Sequence, residues 1–133
     1  MKRTIQLMLF ALLINSCENN DLNVKSDLTP GTYKGHFIRS SPSAKYAPSN
    51  ITLTFTADSF AGESSVVKYP AICNGTYKIT GQEIEFFNNC PWTAEFDWSL
   101  ILSGKFKLNV DGGQLEMTRH SNGQTDYYKL KLQ

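Results

Sequence analysis

The sequence predicts an all-β protein whose eight strands form an antiparallel up-and-down barrel. Beyond Pro30, apolar and polar residues alternate with a period of two in one segment after another, which is typical of half-buried strands. Gly, Asn and Pro separate these segments, and no long stretch repeats with a helical period. Consecutive one-sided strands can bury their apolar faces by closing into a barrel, which also leaves no exposed edge. A two-sheet sandwich is the alternative architecture.

Eight segments carry the strand pattern: 31–39, 50–56, 59–65, 74–80, 83–88, 98–109, 114–119 and 126–132. In the second segment, Ile51, Leu53 and Phe55 alternate with threonines, as expected for a strand with β-branched residues on its solvent side. The sixth segment has an apolar face that begins at Trp98, and Gly104 within it predicts a bend or bulge. The predicted barrel domain spans residues 31–133.

The connections between these strands are of two kinds. Four are short and nearly all contain residues that tolerate positive φ: 57–58, 81–82, 111–113 and 121–123. Short links join antiparallel neighbours, as an up-and-down barrel requires. Two links, 40–49 and 89–97, are longer. We expect the second to form one helical turn started by Asn89, with Trp92 and Phe96 covering a barrel end.

The N-terminus predicts a lipoprotein signal peptide over residues 1–16. A basic start is followed by an apolar run that ends at Ile14, shorter than the roughly 20 residues of a membrane-spanning helix. Ile14-Asn15-Ser16-Cys17 resembles a bacterial lipobox, which predicts cleavage before Cys17 and acylation of its thiol. The alternative is an ordinary signal peptide that leaves Cys17 as a spare thiol or a disulfide partner. The polar residues 17–30 predict a flexible tether.

The charge balance bears on the partners. The 133 residues include 13 Lys and Arg against 12 Asp and Glu, and loss of Lys2 and Arg3 with the signal peptide leaves 11 against 12, a net charge of −1. This balance lacks the basic surface that nucleic acid requires. We therefore expect no nucleic-acid partner and attachment to a membrane through the lipid anchor. The predicted location is the bacterial cell envelope, at the outer membrane on its periplasmic or surface side.

Two further cysteines, Cys73 and Cys90, predict a disulfide, because exported proteins meet an oxidising environment. If residues 81–82 form a two-residue hairpin turn, Thr80 faces Glu83. Counting outward from this pair places Cys73 opposite Cys90. Such non-hydrogen-bonded pairs have Cα atoms about 4.5 Å apart, which is within disulfide range.

The sequence carries no recognisable catalytic or metal motif. It lacks a nucleophile elbow, a metalloprotease helix and a glycine-rich phosphate loop. His36 and His120 are too far from the cysteines in sequence to predict a zinc site. Glu83 and Glu85 share one face of a strand whose other face is apolar, so we expect both carboxylates to face solvent. The prediction is a protein without enzymatic activity, metal or cofactor.

Several segments together resemble the small lipocalin-like lipoproteins of gut and environmental Bacteroidetes. They are Cys73-Asn74-Gly75-Thr76-Tyr77, Gly81-Gln82 with Ile84 and Phe86, Cys90, Asp97-Trp98-Ser99-Leu100-Ile101-Leu102-Ser103-Gly104 and Tyr128-Lys129-Leu130. The likeness covers nearly all of 30–133 and implies a small calycin-type barrel on a lipid anchor. Gly31-Thr32-Tyr33 resembles the Gly-x-Trp entry motif of lipocalins, with Tyr in place of Trp.

Two functions remain open at this point. The first is binding of a small hydrophobic ligand inside the barrel, with candidate lining residues Tyr33, Phe37, Phe55, Tyr77, Phe86, Trp98, Leu102, Phe106 and Tyr128. The inward side chains are bulky, and an eight-stranded barrel is only just wide enough to hold a ligand. The second is an envelope interaction or inhibitor module on a filled barrel, with an unidentified protein partner. It would use the 40–49 loop, which contains Tyr46, and the segment 66–70.

Overall fold

A computed structural model describes residues 27–133, in which one antiparallel sheet closes into a barrel. Its nine strands are β1 (Gly31–Ser41), β2 (Ala44–Lys45), β3 (Ser49–Phe55), β4 (Ser59–Ser64), β5 (Asn74–Thr80), β6 (Glu83–Asn88), β7 (Gly104–Asp111), β8 (Gln114–Ser121) and β9 (Gln124–Leu132). Eight strands form the barrel in chain order, and β2 is an extra strand that pairs with the end of β1. The barrel prediction is confirmed, and the sandwich alternative is excluded.

The long first strand closes the barrel because it pairs on both sides. Tyr33 of β1 lies opposite Leu53 of β3 and Leu132 of β9. The ring of strands therefore has no free edge between β1 and β9. Gly35 lies in the middle of this double pairing, and a Cβ there would overlap the carbonyl oxygen of Lys129. Glycine at this position lets the backbones of β1 and β9 approach closely.

The two ends of the barrel differ. One end, here called the turn end, carries the short connections 56–58, 81–82 and 112–113 and receives the chain from residue 27. The other end, here called the loop end, carries the connections 42–48, 65–73, 89–103 and 122–123. Three of those four are long. Most of the irregular backbone of the described chain therefore gathers at the loop end.

The start of the predicted sixth strand was wrong. Residues 98–109 were predicted to form one strand with a bend or bulge at Gly104, but β7 begins only at Gly104, where φ is +81°. Ahead of it, Trp98–Leu100 form a short 3-10 turn. The Leu102 N–H donates to the carbonyl of Ala71 at 2.9 Å, and the Ala71 N–H donates to that of Leu100 at 2.9 Å. Because these backbone groups bond across the loop end, they do not pair with β6.

The helical turn expected in 89–97 is also wrong. The structure has no helix there and places the 3-10 turn immediately after it, at Trp98–Leu100. Asp97 caps this turn by accepting a hydrogen bond from the Ser99 N–H at 2.9 Å. An aspartate side chain readily accepts this local bond from the backbone N–H two residues later, a capping role that was expected of Asn89, eight residues earlier.

A single hydrophobic core fills the barrel. Its buried members are Tyr33, Phe37, Ile51, Leu53, Phe55, Phe60, Ile84, Phe86, Leu102, Phe106, Leu108, Leu115, Met117, Tyr128 and Leu130. Leu28 packs against this core, and the carbonyl of Thr29 accepts a hydrogen bond from the Tyr33 hydroxyl at 2.7 Å. Among the described residues, packing against the core thus begins at Leu28, three residues before the predicted start of the domain. The predicted signal peptide, Cys17 and most of the predicted tether lie outside the described residues.

Across residues 27–133, no helix has the length and apolar character needed to cross a membrane.

Candidate functional site

Aromatic rings contact one another across the inside of the barrel. Ring centroids lie 6.3 Å apart for Phe55 and Phe86, 5.8 Å for Phe86 and Phe106, 5.6 Å for Phe106 and Tyr128, and 4.8 Å for Tyr128 and Phe37. These separations are those of directly packed aromatic pairs. The rings therefore occupy the space in which a ligand would sit.

The predicted lining residues are placed in three ways. Seven are buried in the core: Tyr33, Phe37, Phe55, Phe86, Leu102, Phe106 and Tyr128. Tyr77 is partly buried and packs edge-on against Phe55 at 5.2 Å. Trp98 was predicted to face inward and is instead 56% exposed, because the 3-10 turn lifts it out of the β7 alternation.

Four clefts of about 200 to 610 Å³ indent the described surface. The 610 Å³ cleft is lined by residues of β1, β3 and β4, including Lys34 and Glu63. None of these four clefts is lined by an aromatic residue of the core. The 200 Å³ cleft opens at the loop end beside Trp98 and Arg119.

A buried ionic network forms the floor of that loop-end cleft. Arg39 on β1 and Arg119 on β8 both lie opposite Asp126 on β9 in the strand register. Arg39 donates to both carboxylate oxygens of Asp126, from Nε at 2.6 Å and from Nη2 at 2.9 Å. Arg119 donates from Nη2 to Oδ2 of Asp126 at 3.0 Å. Arg39 and Asp126 are 4% and 3% exposed, so the charges are paired where water does not reach them.

The same network ties down the 89–103 connection. Nη1 of Arg39 donates to Oδ2 of Asp97 at 3.0 Å and to Oγ of Ser99 at 2.9 Å. Its Nη2 donates to the Ser99 carbonyl at 3.0 Å, and Arg119 donates to that carbonyl at 2.7 Å. All five N–H groups of Arg39 therefore have acceptors. Two guanidinium groups, those of Arg39 and Arg119, thus fix the connection to β1, β8 and β9.

Electrostatics support the charged form of this network. Burial opposes the charge on Arg39, but the hydrogen bond and charge of Asp126, helped by the charge of Asp97, outweigh it and raise the pKa of Arg39. Hydrogen bonds from Ser99, together with the charge of Arg39, hold the pKa of Asp97 below its usual value despite partial burial. Arg119 also stacks on the ring of Phe106, with its guanidinium carbon 4.4 Å from the centroid.

One buried hydroxyl borders the network. The Tyr128 hydroxyl has no hydrogen-bond partner among the described residues. Burial raises the pKa of Tyr128, as does the charge of Asp126, so the phenol stays neutral. Tyr69 lies nearby and accepts a hydrogen bond from the Arg39 backbone N–H at 3.4 Å. The aromatic core and the ionic network thus meet at these tyrosines.

Exposed apolar side chains concentrate at the loop end. Five large hydrophobic residues of the described chain are exposed: Tyr46, Val66, Val67, Phe87 and Trp98. All but Phe87 lie on the three long connections, and Phe87 lies one residue before the end of β6. The loops that carry Tyr46 and Trp98 both bond to Arg39, through the Tyr46 N–H at 3.2 Å and through Ser99.

The sequence interpretation missed the ionic network, although a signal was present. Arg39 has the same parity in β1 as the buried Tyr33 and Phe37. Asp126 has the parity of Tyr128 in β9, and Arg119 that of Met117 in β8. Each charged residue thus extends an inward-facing row. Opposite charges on the inward rows of three strands would have predicted a buried ion pair.

The predicted disulfide is confirmed, since Cys73 and Cys90 are bonded. Their Cα atoms are 6.3 Å apart rather than the expected 4.5 Å. The strand ladder ends at the Gly75 and Asn88 pair, with one more bond from the Asn89 N–H to the Asn74 carbonyl. The cysteines therefore lie just beyond the regular pairing.

The other singled-out polar residues lie apart from the network. Glu83 faces solvent, as predicted, and forms a salt bridge of 3.2 Å with Lys105. His120 is exposed on β8, where Nδ1 lies 2.9 Å from the Thr125 hydroxyl. Among residues 27–133, no three His, Cys, Asp or Glu side chains are grouped to hold a metal ion.

Comparison of the chain with protein-family models, curated proteins and solved structures gives no significant match.

Proposed function

We propose that the protein is an exported, lipid-anchored binding module whose barrel is a filled scaffold and whose loop end is the binding surface. The observation that carries this proposal is the position of the exposed apolar residues. Four of the five exposed large hydrophobics lie on the long connections at the loop end. Exposed apolar residues gathered on loops of a rigid scaffold are typical of interaction sites.

The filled interior favours this function over a ligand inside the barrel. A hydrophobic ligand in the core would have to separate rings such as Phe86 and Phe106, whose centroids are 5.8 Å apart. Moving these rings apart would remove packing contacts throughout a close-packed interior. Binding at the loop end requires no movement of core side chains, because the exposed residues there already face solvent.

The loop end is also held in one shape, which favours specific binding. Arg39 bonds to Asp97 and Ser99 on one long connection, and its carbonyl accepts the Tyr46 N–H of another. Ala71 on the third long connection accepts a hydrogen bond from the Leu102 N–H and donates one to the Leu100 carbonyl. Loops ordered before binding lose less entropy when a partner docks.

The point at which the chain enters the barrel is compatible with the proposed lipid anchor. The described chain enters the barrel from residue 27 at the turn end, where Leu28 packs against the core. A lipid on Cys17 would therefore attach ten residues before the turn end. The predicted tether would then join the barrel at the end opposite the loop end.

Site-specific photo-cross-linking in the source bacterium tests the proposed function. A benzophenone amino acid replaces Val67, which is 85% exposed at the loop end. The matched control replaces Asp111, an exposed residue at the turn end. Irradiation should give a discrete adduct from position 67 and none from position 111. No adduct from position 67, or equal adducts from both positions, would overturn the proposal.

A further inference from the structure

We propose that the loop-end cleft beside Trp98 binds one residue of a neutral saccharide. This inference rests on the proposed function, because it assigns a ligand class to part of the same surface. The cleft holds about 200 Å³ and is lined by Arg39, Trp98, Ser99, Ile101, Ser103, Arg119, Ser121, Asn122, Gln124 and Asp126. Its walls combine one exposed indole with hydroxyl and amide side chains.

The Trp98 ring is exposed but fixed. Its Nε1 donates to the carbonyl of Thr93 at 2.9 Å, which anchors one edge of the indole. Its neighbours Asp97 and Ser99 both bond to Arg39. The ring therefore offers a fixed apolar face, 56% exposed, to the C–H face of a sugar ring.

Other residues of the cleft supply groups that both donate and accept hydrogen bonds. Ser121, Asn122 and Gln124 form the β8–β9 corner of the cleft. Ser121 and Asn122 are exposed, and Gln124 is half-buried. Hydroxyl and amide groups of this kind match the hydroxyls of a saccharide, which are themselves donors and acceptors.

The charges in the cleft favour a neutral ligand. Arg39 and Arg119 are matched by Asp97 and Asp126, so the network has no net charge. Arg39 has no N–H left for a ligand, because all five are used within the network. Arg119 donates to the carbonyls of Ser103 and Ser99 and to Asp126, so its charge is also paired within the network.

The size of the cleft sets the length of ligand that it holds. Pockets for drug-sized molecules are about 300 to 1,000 Å³, and this one is about 200 Å³. It therefore holds one ring, and the rest of an oligosaccharide would extend over the loop end.

Fluorescence titration of a single-tryptophan protein tests the inference. Trp92→Phe leaves Trp98 as the one tryptophan of the 133 residues, so emission reports on the cleft alone. The probes are maltohexaose, cellohexaose, mannohexaose and chitohexaose. At least one should change the emission saturably, and Gln124→Ala should weaken that binding several-fold.

A second measurement tests how much the Trp98 ring contributes to binding. In the full-length protein, calorimetric affinity for the same probe should fall about tenfold with Trp98→Ala, as expected for one lost aromatic contact. Lys105→Ala, on the outer wall, is the control and should bind as wild type. Binding that is unchanged by Trp98→Ala, or no response to any of the four probes, would overturn the inference. Binding of polygalacturonate instead would show an anion site and would overturn it too.

Failure here is distinguishable from failure of the proposed function. If no saccharide binds while the benzophenone at position 67 still gives its adduct, the ligand class is wrong and the binding surface stands. If position 67 gives no adduct while a saccharide binds beside Trp98, the proposal that the whole loop end is a binding surface is wrong and the cleft stands.

Discussion

Arg39 links the barrel wall to its longest connection, and its replacement should destabilise the fold strongly. Arg39→Met leaves the buried Asp126 with Arg119 as its one remaining charged partner. Breaking a buried pair costs about 3 to 5 kcal/mol, and we expect about 3 kcal/mol because Arg119 stays. Urea unfolding followed by circular dichroism measures this free energy.

A matched control separates burial from charge in that experiment. Lys105→Met removes a salt bridge to Glu83 whose side chains are 61% and 47% exposed. Exposed pairs contribute about 0 to 1 kcal/mol, so this variant should unfold close to wild type. Equal losses from Arg39→Met and Lys105→Met would contradict the structural role of the network.

At the scale of the connections, the 89–103 loop should loosen in acid. Asp97 keeps its charge through hydrogen bonds from Ser99, and also through Arg39, so its pKa in the folded protein is below the usual 3.8. Its stabilising contribution is complete above that usual value and is lost as the pH falls through the lower folded-state value. Trp98, beside Asp97, should report this loss as a change in emission below about pH 4.

Asp97→Asn removes the titrating group and tests that assignment. Because Asp97 is half exposed, the variant should lose less than about 1 kcal/mol of stability at neutral pH. The acid-dependent part of the stability that is assigned to Asp97 should disappear. The free energy of unfolding of the variant should therefore change less with pH below about pH 4. Asp111→Asn, at the turn end, serves as the control. An Asp97→Asn protein with the full wild-type pH dependence would rule the assignment out.

The β5–β6 hairpin should owe part of its stability to the disulfide. Cys73 and Cys90 are 17 residues apart, and closing a loop of this length restricts the unfolded chain by about 3 kcal/mol. The double variant Cys73→Ser, Cys90→Ser should therefore melt several degrees lower, with unchanged β-content before the transition. Reduced wild type should behave alike. An unchanged melting temperature would count against this contribution.

The strand pattern could be predicted because alternation and turn residues are local. The alternating spacing of Ile51 and Leu53 predicts β3. Counting residues outward from the predicted hairpin turn placed Cys73 opposite Cys90, which are bonded. The segment 98–103 could not be predicted in the same way, because its alternation continues that of β7. A non-local bond from Leu102 to Ala71 removes it from the strand.

The candidate site was less predictable than the fold, for a physical reason. The 40–49 loop and segment 66–70 were named as contact surfaces, and Tyr46 and Val67 are indeed exposed. Trp98 was placed inside because an apolar side chain at an inward parity is normally buried. Its exposure follows from the Ser99 to Arg39 bonds, which depend on partners 60 residues away in sequence.

At the scale of the whole molecule, the lipid anchor should decide where the protein is found. If Cys17 is acylated, Cys17→Ala should move the protein from the membrane fraction to the soluble fraction, because the acyl chains supply the attachment. Mass spectrometry of the wild type should find Cys17 as a modified N-terminus. A Cys17→Ala protein that stays with the membrane, or a wild type with residue 16 still joined to residue 17, would contradict the anchor.

An amide NMR titration with oleate tests directly whether the barrel is a filled scaffold. The sample is the ¹⁵N-labelled Cys17→Ala protein, and the core amides of Phe55, Phe86 and Phe106 report on the interior. We expect no saturable shift at these amides, because their rings are already packed together at 5.8 to 6.3 Å. Saturable shifts centred on these three residues would show that oleate enters the barrel and that the interior is not a filled scaffold.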